Sequence, residues 1–132
     1  MLPPRYWEEP ASELLRKAEA EVRENVLPLI PDFKDFSVHA VKGIRHMGKY
    51  VANSHKKPVV VVSQSACAKA GDKYDVDLYT CYLTTILHEL GHAIQEARGK
   101  RLDEDEAESV AHTYWSFGQL PKWVTAKRKV KR

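Results

Sequence analysis

From about Asp77 to Arg98, Leu78, Cys81, Tyr82, Thr85, Ile86, Glu89, His92 and Ala93 recur at spacings of three and four. That period predicts one long helix with a single face turned inward, closed by Gly99 where a helix C-cap belongs. Within it lies His88-Glu89-Leu90-Gly91-His92. Residues at i and i+4 share a helix face, so His88 and His92 can offer two imidazole nitrogens to one metal ion. Glu89, one step round, is placed to hold a water at that ion without ligating it. Gly91 has no side chain and leaves room beside the second histidine.

Two histidines leave a metal centre short of a donor, because a catalytic zinc takes three protein ligands and keeps one position for water. The next run, Asp103 to Phe117, predicts a second helix, acidic in its first turn and ended by Gly118 and Pro121. Ala107, Val110, Ala111, Tyr114 and Trp115 define the face expected to pack on the motif helix. Glu104 falls on that side, and Glu108 lies one turn further at its edge. Glu106 falls near the other edge, and Asp105 points outward. Glu104 is therefore the expected third ligand, with Glu106 as the alternative register.

These residues carry a resemblance. His88-Glu89-Leu90-Gly91-His92, followed by Glu104-Asp105-Glu106-Ala107-Glu108 with Ala111 beyond, resembles the gluzincin metallopeptidases, which pair H-E-x-x-H with E-x-x-A-D or E-x-x-A-N on the next helix. The chain is most similar to the small minigluzincins or the protease core of ImmA/IrrE-type proteins. The resemblance implies a zinc-dependent peptidase with one Zn2+ held by His88, His92 and Glu104, and with Glu89 as general base. It implies that Glu108 orients a histidine ligand from behind, although the family has a shorter Asp or Asn there. A non-catalytic regulatory or binding module on the same zincin scaffold is the alternative. The intact Glu89 disfavours it, since a purely structural metal needs no base.

The rest of the chain predicts an α+β, minimal zincin-like domain. Ala11 to about Leu27 reads as an N-terminal helix with Ser12 as N-cap, and Phe36–Val41, Gly43–Val51 and Pro58–Ser63 as three short strands. The small sheet is expected to be mostly antiparallel or mixed. Four consecutive valines, Val59 to Val62, suit a strand covered on both faces. They are also a candidate for the edge strand that pairs with substrate backbone in gluzincins and related zincins, with a buried central strand as the alternative. Ser65 to Lys73 reads as a loop or short helix.

At 132 residues the chain is expected to fold as one domain, residues 1–121, with a basic tail at 122–132. The net charge of +3 hides an asymmetry: the tail has six bases and no acid, so the remainder carries −3. Nucleic-acid binding through that tail is not the expected function, because the body shows no basic stripe. No apolar run approaches the roughly 18 residues of a membrane span, and the first residues lack the pattern of a signal peptide. Cys67 and Cys81 form no C-x-x-C and read as reduced thiols. The expected state is a cytoplasmic monomer acting on a peptide or protein substrate. An oxyanion helper is sought among His112, Tyr114 and Tyr82, with His39, His46 and His55 less favoured. If the enzyme is latent, the segment expected to lie over its cleft is Met1 to Trp7 or the C-terminal stretch bearing Trp123.

Overall fold

The computed structural model describes residues 2, 6–52 and 57–126. In chain order it contains strand β1 (Trp7–Glu8), helix α1 (Glu13–Asn25), strands β2 (Ser37–Lys42), β3 (Gly48–Val51) and β4 (Val59–Val62), then helices α2 (Gln64–Tyr74), α3 (Leu78–Ala97), α4 (Glu104–Phe117) and α5 (Lys122–Thr125). The four longer helices each begin after a side chain that accepts a backbone N–H: Ser12, Ser63, Asp77 and Asp103. Such caps satisfy a donor that the helix itself leaves unpaired. Gly99 and Gly118, at φ +66° and +67°, take the left-handed turn that stops α3 and α4.

The α+β class matches the expectation, but the sheet has four strands rather than three, in the order β1-β2-β4-β3. It is mixed: β2 and β4 are parallel, and the two outer pairings are antiparallel. The additional strand, β1, is two residues long, too short to show any period of its own. The Glu9 N–H donates to the Ala40 carbonyl (2.9 Å) and Glu8 meets His39 (2.7 Å), which fix it on β2. In β4 the valines alternate. Val60 and Val62 enter the core beneath the helices, while Val59 and Val61 join Tyr6, Val41 and Val51 on the opposite face. Both faces are thus covered, as an unbroken valine run demands.

That placement favours the central strand over the edge strand for Val59 to Val62. With β2 on one side and β3 on the other, β4 has no free edge to offer a substrate strand. The edge strand beside α3 is β3. Its polar groups alternate in direction: the Ser63 N–H bonds the Met47 carbonyl (2.8 Å), and the register pairs Gly48 with Val62 and Tyr50 with Val60. Gly48 and Tyr50 therefore turn their N–H and C=O groups away from β4.

α3 is the spine of the fold, packed against α1, α4, β3 and β4, with Ile86, Leu87, Leu90, Ala93 and Ile94 fully buried. On α4, Ala107, Val110 and Ala111 are buried as expected, but Trp115 is 60% exposed. Tyr114 leans toward α1, where its hydroxyl donates to Glu21, so the packed arc ends short of Trp115. Packing continues past Pro121 into the basic segment. Val124 of α5 is fully buried, and Arg98 donates to the carbonyls of Trp123 (2.6 Å) and Val124 (2.7 Å). Residues 127–132 and His55 lie outside the described residues.

A charge cluster ties α1 to the start of β2. Arg23 bonds Glu19 (2.8 Å), Asp35 (2.7 Å) and the Phe36 carbonyl (2.6 Å), and Lys57 meets the other Asp35 oxygen (3.0 Å). Burial raises the Asp35 pKa, but hydrogen bonds from Arg23, Lys57 and the Phe36 N–H outweigh it and pull the carboxyl down to about 2. A depressed folded pKa contributes stability that is present above the unfolded value of 3.8 and is lost as pH falls toward 2. Asp35→Asn should cost about 1 kcal/mol at neutral pH, discounted for solvent screening. It should also flatten the decline in stability between pH 4 and 2 in acid titrations followed by circular dichroism.

Candidate metal centre

The motif histidines lie side by side on α3, their ring centroids 5.1 Å apart and the planes nearly perpendicular. Glu104, in the first turn of α4, reaches both: one oxygen is 2.7 Å from His92 Nε2 and the other 3.1 Å from His88 Nε2. Ligand atoms of His88, Glu89 and His92 lie within 4.8 Å of one another. The helix pair can come this close because of Gly91. A Cβ there would stand 2.8 Å from Ala107 Cα and 2.9 Å from its carbonyl oxygen. The glycine thus makes room for α4 itself, rather than for the histidine.

Gly91→Ala should therefore destabilise the fold by about 1–3 kcal/mol, the range for overpacking. The roughly 1 kcal/mol that alanine gains over glycine in a helix is outweighed because the obstacle is backbone. Zinc affinity should fall as well, since Glu104 and Glu108 move with α4. Thermal melts and zinc titration check the two effects separately.

Behind the histidines each Nδ1 has its own partner. Glu108 Oε2 lies 2.6 Å from His88 Nδ1, the position the resemblance implies for it. His92 Nδ1 instead faces Gln95 Oε1 at 3.0 Å. Gln95 is fully buried, and its role was not anticipated from the sequence. The available signal was a lone amide on the inward face, three residues past a motif histidine. Glu106, the alternative third ligand, is turned elsewhere: it accepts from Gln95 Nε2 (3.0 Å) and Lys100 Nζ (2.8 Å).

Glu89 is 9% exposed and lies beneath β3. A Cβ at Gly48 would be 3.3 Å from Glu89 Cγ and only 2.4 Å from Thr85 Cγ2, so the strand needs glycine to pass this closely. Burial pushes the Glu89 pKa up, against the lowering pull of His88, His92 and the Tyr50 N–H. An upward shift is the direction that suits a carboxylate exchanging protons near neutral pH. For His88, burial lowers the pKa, but Glu89, Glu108 and Glu104 together raise it. Burial would raise Glu104, yet its bonds to the histidines hold it below the usual carboxylate range.

A cleft of about 610 Å³ opens over these residues, with His46, Met47 and Gly48 on the wall opposite Glu104 and Glu108. The donor set fits zinc: two imidazoles, each held from behind at Nδ1, and a carboxylate spanning both Nε2 atoms. Of the side chains considered as helpers, Tyr82 is buried and Tyr114 is tied to Glu21, while His112 is exposed away from the cleft and His39 pairs with Glu8. Among the described candidates, His46 is the one that lines the cleft. Neither end covers it among the described residues: Tyr6 packs on the far face of the sheet, Trp7 lies on the edge remote from β3, and Trp123 packs against Lys100. No protein-family model, curated protein or solved structure matches the chain.

Proposed function

We propose that the protein is a zinc-dependent peptidase whose metal ligands are His88, His92 and Glu104. The observation that carries this reading is the convergence of both Nε2 atoms and the Glu104 carboxylate beside a buried Glu89, at the floor of an open cleft. A zinc ion held there would supply Lewis acidity, acidifying water and polarising a substrate carbonyl. Glu89 accepts a proton from the attacking water and delivers it to the amine that leaves as the amide bond breaks. Glu108 and Gln95 keep the imidazoles in the tautomer that leaves Nε2 free. The outward-facing N–H and C=O of Gly48 and the C=O of Tyr50, whose N–H is held by Glu89, are suited to hold an extended peptide as an added strand. Such a peptide or protein is the proposed substrate. No helix among the described residues is long and apolar enough to cross a membrane.

Incubating the zinc-loaded protein with a mixed peptide library tests the activity. Cleavage that a chelator abolishes and added zinc restores is expected. Products that persist in the chelator would oppose a metal-dependent reaction, and intact peptides throughout would oppose peptidase activity.

A further inference from the structure

We propose that Lys100 and Trp123 are positioning residues for the His92 imidazole, acting through Glu106 and Gln95. This rests on the reading of His88, His92 and Glu104 as a metal centre, and it makes α5 part of that centre. The chain of contacts begins at the Gln95 amide, which has one orientation. Its Nε2 donates to the Asp103 carbonyl (3.1 Å) and to Glu106 Oε1 (3.0 Å), while its Oε1 accepts the Asp103 N–H (3.2 Å). A reversed amide would set its NH2 against the Asp103 N–H and its oxygen against the Glu106 carboxylate. The oxygen must therefore face His92, so Nδ1 carries the proton and Nε2 is the nitrogen left for a metal.

Glu106 is itself held. Lys100 Nζ meets its second oxygen at 2.8 Å, and the same ammonium lies 4.8 Å from the Trp123 ring centroid. Trp123 Nε1 donates to Ser109 Oγ (3.0 Å), which in turn donates to the Glu106 carbonyl (2.5 Å). The indole thus braces Glu106 twice, through the lysine and through the α4 backbone. Removing it frees the carboxylate to turn outward, and the buried amide then loses one of the acceptors that fix its orientation.

The test compares Lys100→Met, Trp123→Leu and Lys100→Arg with Val124→Ala, which leaves a cavity in α5 without touching the polar chain. Two quantities are read: Zn2+ affinity by chelator competition, and exchange of the His92 Nδ1 proton by NMR in metal-free protein. Lys100→Met and Trp123→Leu should weaken Zn2+ binding by about 3–10-fold, less than the roughly 10–100-fold typical of a ligand's direct partner, and should speed the exchange. Lys100→Arg should restore both, and Val124→Ala should lower the melting temperature while moving neither. Wild-type behaviour of both in Lys100→Met and Trp123→Leu would overturn the proposal, as would equal changes in Val124→Ala. If the wild type takes up no Zn2+ but the exchange still responds, the positioning role stands and the metal centre falls.

Discussion

Replacing Glu89 with glutamine is expected to lower peptide hydrolysis by about 10²–10⁴-fold, the usual worth of general acid–base catalysis. Glutamine keeps the shape of the side chain and can still meet the Tyr50 N–H through its oxygen, but it cannot accept a proton from water. Zinc affinity should change little, because the ligands are His88, His92 and Glu104. Stability should hold or rise: Glu89 is buried, and burial raises its pKa, so the ionised carboxylate is costly there. Measuring kcat, bound zinc and the melting temperature on the same preparation separates the roles. A variant that hydrolyses peptides as fast as the wild type would remove Glu89 from the mechanism.

The second large effect concerns the third ligand. Glu104→Ala should weaken zinc binding by more than about 100-fold, beyond the cost of losing a partner behind a ligand. Its two oxygens are the atoms that reach both Nε2 positions, and Glu104 is exposed, so truncation should leave the fold intact. Glu106→Ala should cost far less, since that carboxylate touches Gln95 and Lys100 and acts only through His92. Chelator competition on the two variants reads the difference. Equal losses, or a larger loss for Glu106→Ala, would contradict the assignment.

The motif helix and Glu104 were legible in the sequence because helix periodicity is local: it fixes which side chains share a face over a few turns. The same rule placed Glu106 near the other edge and left it as the alternative ligand, but could not tell that it would hold Gln95. An amide's role depends on what surrounds it, and Asp103 and Lys100 come from the loop beyond the helix. Strand order was not legible either. The valine run announced a strand covered on both faces, yet its central place between β2 and β3 arises from non-local pairing. β3 became the edge beside Glu89 for that reason, with Gly48 as the only hint. Gly91 was read as space for a histidine, and it is space for Ala107. β1 and α5 are each a turn or less, and contacts with β2 and Arg98 hold them rather than any pattern of their own.

The most direct measurement is the zinc content of protein purified without chelators, paired with X-ray absorption at the zinc edge. About one zinc per chain is predicted, with nitrogen neighbours at roughly 2.0–2.1 Å and carboxylate oxygen completing the shell. Protein that contains no zinc and takes up none when it is supplied would contradict the account.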